Sequence, residues 1–191
     1  MNSMWSLIDL APLDTDIDEK AENVRTLIET LNKVGYNELA LRVKRFDETT
    51  REAISADYKA LPRCVYQGDL NGTNILSENG HFKGLIDFNL SGTEVNINCF
   101  LNETNWFPSD YEFDTMDIEE IVYRVNDYQN ELLKSIFKHY SLNPLESRLF
   151  PYYKRIVDLE QYPNVCQMVR YLKDGARREK AVRLVETLIS K

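Results

Sequence analysis

The chain has 191 residues, 43% hydrophobic and 11% aromatic, enough to bury one good-sized core. Its formal charge of -8 argues against a general nucleic-acid or anionic-membrane binder, since those partners need clustered Lys and Arg. No apolar run reaches the ~18 residues of a membrane span, and "MNSMWSLIDLAPLDTD" lacks the basic head and apolar centre of a secretory leader, so a cytoplasmic protein is expected. Cys64, Cys99 and Cys166 are few, odd in number and without CxxC spacing. They read as buried free thiols in a reducing compartment. His81 and His139 stand apart from them, so transition-metal chemistry has little support.

In chain order, "PLDTDIDEKAENVRTLIETLNKVG" predicts an acidic turn and then a helix. Ala21, Val24, Leu27, Ile28 and Leu31 fall on one face, and Gly35 is placed to end it. "NELALRVKRFDETTREAISADYKAL" predicts a second helix, interrupted near Asp47 and stopped by Pro62. Two strand-like runs follow, "RCVYQGD" and "FKGLIDF", with "SENG" between them as a turn. Residues 102–120 carry seven acidic side chains and no Lys or Arg, and are expected to form an acidic loop. A helix is expected from Ile118 to about His139, with Ile121, Val122, Val125, Leu132, Leu133 and Ile136 on its apolar side. Two more should fill 144–161 and 164–190, the latter broken at Gly175. The fold class is α+β, mostly α-helical, in a single domain spanning 1–191: helices over about 18–60, a loop and hairpin over 64–92, and a helical part over 118–191.

The residues that carry chemistry lie in "QGDLNGTNIL" and "GLID". Asp69 closes the first apolar run, Asn74 follows five residues on, and Asp87 closes the second, with Gly68 and Gly72 allowing tight geometry. If the two runs pair as a hairpin, the three side chains meet at one rim. Two carboxylates and a carboxamide oxygen suit Mg²⁺, which takes few protein ligands beside phosphate and water. One carboxylate could instead accept a proton from a substrate hydroxyl. The plainer reading is that Asx residues simply favour such corners. It fits each residue alone better than it fits all three together.

This stretch resembles the catalytic core of the aminoglycoside phosphotransferase and choline kinase family, relatives of the protein kinases. That family carries H-G-D-x-x-x-x-N and, after a short hairpin, I-D-F/W. The chain reads Gln67-Gly68-Asp69-Leu70-Asn71-Gly72-Thr73-Asn74 and Leu85-Ile86-Asp87-Phe88. The resemblance implies that Asp69 is the catalytic aspartate, that Asn74 and Asp87 hold Mg²⁺ with ATP, and that the acceptor is a hydroxyl of a small molecule. Gln67 replaces the motif histidine; its amide can still hydrogen-bond. Glu94 and Asn98 stand where the family has acids, which weakens the expected anchoring of the loop.

The likeness covers a C-terminal lobe, roughly residues 20–191. A β-rich nucleotide lobe with a glycine loop and a lysine strand is not legible before Gly68, where Gly35 is the one glycine. "ALRVKRF" with Lys44 could be imagined as that strand, but Leu39, Val43 and Phe46 share a helix face. Two readings stay open. The chain is the substrate-and-metal lobe of a phosphotransferase, weakly active alone and completed by a separate N-terminal-lobe chain. Alternatively it is a truncated, inactive remnant that acts as a binding module. A homodimer is also conceivable: apolar surface beside "VYQGD" could be covered by Trp5, Leu7, Ile8 and Leu10, or could drive self-association.

For the acceptor, Asp110, Glu112 and Asp114, interleaved with Trp106, Phe107, Tyr111 and Phe113, could wall a cationic amine. The alternative is a solvated acidic loop whose aromatics pack on the helices. "KDGARREKAVR" is expected to be the solvated side of a terminal helix.

Overall fold

A computed structural model describes residues 15–89 and 91–190, with the side chains of residues 15–19 left aside. The region assigned to Trp5, Leu7, Ile8 and Leu10 lies outside the described residues. The architecture is α+β and mostly helical. Among the described residues no helix is long and apolar enough to cross a membrane.

Helix α1, Thr15–Lys33, buries Val24, Leu27 and Leu31 as its spacing predicts, and it ends just before Gly35. Helix α2, Asn37–Ser55, runs unbroken through Asp47, contrary to the expected interruption. The Asp47 carboxylate accepts a hydrogen bond from Arg51 one turn on, so the residue supports the helix it was expected to break. The helix also stops at Ser55, well before Pro62, with a short 3₁₀ turn at Tyr58–Ala60 between them. Lys44 is an exposed helical residue paired with Glu48, not part of a strand.

The strands pair differently from the sequence expectation. Strand β1, Arg63–Tyr66, does not pair with the second apolar run. It lies antiparallel to β4, Gly92–Val95, with Cys64 opposite Glu94 and Tyr66 opposite Gly92. The hairpin is formed by β2, Ile75–Glu78, and β3, His81–Leu85. Asn79 and Gly80 turn it with φ of 52° and 77°. Positive φ at both central residues matches the twist of the flanking strands, and Asn-Gly tolerates it best. β4 runs straight into helix α3, Asn96–Glu103.

The region expected to be an acidic loop is largely ordered helix. Helix α4, Asp110–Thr115, starts at Ser109, whose side chain accepts from the Glu112 N–H while the Glu112 carboxylate accepts from the Ser109 N–H. This reciprocal capping box satisfies orphan donors at the helix start. Helix α5, Ile118–Ile136, is capped by Asp117. It buries Ile118, Ile121, Val125 and Leu133 but leaves Leu132 at the surface; Gln129 is buried instead and accepts from Lys154. Helix α6, Pro144–Glu160, opens with a second capping box, Asn143 with Glu146. Helices α7, Tyr162–Lys173, and α8, Arg178–Ile189, are separated around Gly175 as expected.

Two apolar clusters form the interior. One gathers α1, α4, α7 and α8 around Leu27, Phe113, Met168 and Val185. The other gathers β4, α3 and α6 around Val95, Ile97, Leu149 and Tyr153. α2, α5 and α6 contribute to both: Val43, Ile121 and Leu159 lie in the first, Ile54, Leu133 and Tyr153 in the second. β4 contributes Val95 to the second cluster, whereas the β2–β3 hairpin is largely exposed.

Candidate functional site

The loop from Gln67 to Asn74 is held by one buried side chain. Gln67 is 3% exposed. Its Nε2 donates to the carbonyls of Ile86, at 2.9 Å, and Asp87, at 2.5 Å, while its Oε1 accepts from the Asp69 N–H at 2.7 Å. One amide thus ties the loop after β1 to the segment after β3. Gly68 lies between the two anchored residues with φ of 91°, a left-handed conformation that a side chain would strain. Gly72 takes no positive φ.

Asn74 completes the knot from the other side. Its Nδ2 donates to the Asp69 carbonyl and to Asp69 Oδ2, each at 2.9 Å. Its own carbonyl accepts from the Ile86 N–H at 3.0 Å. Asp69 and Asp87 are exposed, whereas Asn74 is buried. Asp87 has φ of 58°, a conformation Asp adopts more readily than bulkier residues. Asn89 Nδ2 donates to Asp87 Oδ1 at 2.8 Å and fixes that rotamer. Of the three residues chosen from sequence, Asp69 and Asn74 meet through a side-chain hydrogen bond, and Asp87 is joined to the same loop through its main-chain carbonyl, which accepts from Gln67; the strand pairing expected to bring them together does not form. Sequence reasoning gave Gln67 a minor place and missed Asn89; the short Asp87-to-Asn89 spacing was the available signal.

The donor set can be tested against Mg²⁺. Because Asn74 Nδ2 faces Asp69, its Oδ1 is the free end of the amide. Among the described residues, Asn74 Oδ1, Asp69 Oδ1 and Asp87 Oδ2 accept no protein hydrogen bond. Three hard oxygens on neighbouring backbone segments, two of them on exposed carboxylates, fit a cation that keeps water and phosphate in its shell. Among the described residues no group of three or more His, Cys, Asp or Glu is arranged to hold a metal.

Glu94 and Asn98 are both buried. Glu94 lies on β4 and accepts from the Val95 N–H at 2.5 Å; Asn98 lies on α3. Around the loop and hairpin lies an apolar surface: Val65, Leu70, Ile75, Leu76, Phe82, Ile86 and Phe88 are all exposed.

The carboxylates of the expected cation wall are engaged by partners within the chain. Asp110 accepts from Arg170 Nη1 at 2.7 Å and from the Tyr171 hydroxyl at 3.0 Å. The Arg170 guanidinium holds the Asp110 carboxyl down at about 2. Asp114 is gripped by Arg177 at 2.7 and 2.5 Å, and Glu112 is engaged by Ser109 and, at 3.7 Å, by Arg124. A ligand amine would have to displace these guanidinium groups. Phe113 is fully buried, stacked on Tyr171 with centroids 3.9 Å apart, and Trp106 and Phe107 pack against the first core cluster. The basic segment near the C-terminus is not simply solvated either. Arg177 answers α4, and Lys180 donates to the Phe113 and Met116 carbonyls.

The cysteines also depart from expectation. Cys64 and Cys99 are half-buried and Cys166 is exposed. Comparison with protein-family models, with curated proteins and with solved structures finds no match.

Proposed function

We propose that this chain is the acceptor-and-metal half of an ATP-dependent phosphotransferase acting on a hydroxyl of a small molecule. The observation that carries the reading is the Gln67 knot, which ties the backbone at Asp69 to that at Asp87, with Asn74 bonded to Asp69 and, among the described residues, one side-chain oxygen of each without a protein donor. The order of loop, β2–β3 hairpin and Ile86-Asp87-Phe88 supports the family resemblance. Asp69 would orient the acceptor hydroxyl and take its proton. Asn74 Oδ1 and Asp87 would hold Mg²⁺, which supplies charge neutralisation for the transferring phosphoryl group. Gln67 does the positional work expected of the motif histidine, holding the loop with a neutral amide.

Residues 15–55 are two helices, and no β-rich lobe precedes the loop among the described residues. The surfaces that grip the nucleotide would come from a separate chain or a second copy resting on the exposed hairpin face. Alone, this chain would turn over weakly or not at all, because one half cannot hold the phosphates in line. Calorimetry with ATP tests the proposal. Weak ATP binding that requires Mg²⁺ and disappears in Asp87→Asn supports it. Binding indifferent to Mg²⁺ and to Asp87 contradicts it.

A second reading, a binding module without catalysis, is favoured by the exposed apolar side chains from Val65 to Phe88. Under it, Asp87→Asn leaves every interaction of the chain unchanged. The ion-paired carboxylates of α4 remove the reason to prefer an amine acceptor.

A further inference from the structure

Cys64 and Cys99 are distant in sequence, yet their thiols meet. β1 and β4 place Cys64 opposite Glu94. β4 leads directly into α3, and the Asn96 N–H donates to the Pro62 carbonyl at 3.0 Å, so the helix begins against the start of β1. α3 packs on β1, and the Cys99 thiol, one turn into the helix, hydrogen-bonds the Cys64 thiol. Both groups are half-buried rather than sealed, and the third cysteine, on α7, is exposed.

We propose that Cys64 and Cys99 are a redox modification site that closes into a reversible intramolecular disulfide by exchange with a small-molecule disulfide such as glutathione disulfide. The Cys64 sulfur attacks one sulfur of glutathione disulfide and releases one glutathione thiolate. The Cys99 sulfur then attacks Cys64 in the mixed disulfide, forms the Sγ–Sγ bond and releases the second glutathione. Two protein thiols are oxidised, one glutathione disulfide is reduced, and the two protein protons leave with the two glutathiones.

The surroundings assign the order of attack. The hydrogen bond from Cys99 holds the Cys64 thiol below its ordinary value, with Arg63 helping and burial and Glu94 opposing. The same hydrogen bond, together with burial and the Glu94 and Glu103 carboxylates, pushes the Cys99 thiol up. Arg63 adjoins Cys64 and Glu103 lies one turn beyond Cys99, and these charges make Cys64 the first nucleophile and Cys99 the resolving thiol. The ring closed by the bond spans residues 64–99 and contains Gln67, Asp69, Asn74 and Asp87, so oxidation would restrain the whole candidate site. The pairing itself does not depend on any phosphotransferase role.

The test uses the full chain, reduced and then equilibrated with glutathione disulfide. The expected product is a monomer in which only Cys166 remains alkylatable. Its peptide map joins Cys64 to Cys99, and its melting temperature rises by several degrees, reversed by dithiothreitol. In Cys99→Ser, Cys64 should stop at the glutathione mixed disulfide and the melting shift should vanish. The wild-type map decides the matter even if that variant folds poorly. Oxidised chain in which Cys64 and Cys99 stay separately alkylatable, or each carry their own glutathione, would overturn the proposal. So would chains joined only through Cys166.

Discussion

At the scale of single residues, the candidate site depends on a neutral amide more than on its charges. Gln67 supplies two donated bonds and one accepted bond from a buried position. Gln67→Ala would strand the Asp69 N–H and two carbonyls, which costs about 1–3 kcal/mol in urea unfolding. An unchanged midpoint would mean that water replaces the amide. The D-x-x-x-x-N spacing made Asp69 and Asn74 legible in the sequence, because a loop of that length can fold a carboxamide back onto its carboxylate. Gln67 was not legible in the same way, since its acceptors at Ile86 and Asp87 are distant in the chain. A second residue-scale test concerns Glu160, whose side chain is fully buried beside Arg51 Nη2 at 2.5 Å. Burial pushes its carboxyl well above the ordinary carboxylate range, and Arg51, shared with Asp47, pulls it back only in part. The folded chain thus holds the Glu160 proton to higher pH than the unfolded chain, whose value lies near about 4.3. The stability this proton provides is complete below the unfolded value and is lost as pH rises through the folded one. Glu160→Gln should flatten the alkaline limb of a stability–pH profile; a limb parallel to wild type would show that Glu160 is charged in the folded chain.

At the scale of elements, helical periodicity was readable almost throughout, and partner choice was not. The apolar spacing of α1 and the helical break around Gly175 appear where the sequence placed them. "RCVY" reads as a strand from its residues alone, but nothing local says that Gly92–Val95, rather than the hairpin, lies beside it. The acidic segment held a signal that charge counting obscured: Ser109 with Glu112 three residues on is a capping box and announces α4. That helix is too short to stand alone and is held by packing and ion pairs. Phe113→Ala removes the side chain stacked on Tyr171 and should cost about 3–5 kcal/mol of unfolding free energy. Neutralising Asp110, Glu112 and Asp114 together frees Arg170 and Arg177. The expected outcome is a small, salt-dependent loss of stability with no change in amine affinity. Weaker amine binding in that triple variant, with stability intact, would restore the cation wall.

At the scale of the whole molecule, a helical body carries two small two-stranded sheets, and exposed apolar side chains from Val65 to Phe88 surround the loop and hairpin that bear Asp69, Asn74 and Asp87. Such a surface calls for a covering partner. Replacing Phe82 and Phe88, 66% and 52% exposed, with Glu should leave the helical circular dichroism intact while abolishing any concentration-dependent association in sedimentation. Persistent association would move the contact elsewhere. The global class, mostly helix with a little sheet, followed from periodicity and strand-like runs; which face would be left bare could not, because it depends on how the strands pair. The central claim is that side-chain oxygens of Asp69, Asn74 and Asp87, on the two segments that Gln67 ties together, form a divalent-cation site. A Mg²⁺ titration followed by amide ¹H–¹⁵N spectra tests it most directly. Saturable shifts confined to Gly68–Asn74 and Ile86–Asn89, and absent in Asp87→Asn, are the predicted result; no saturable shifts there, or shifts centred on α4, would contradict it.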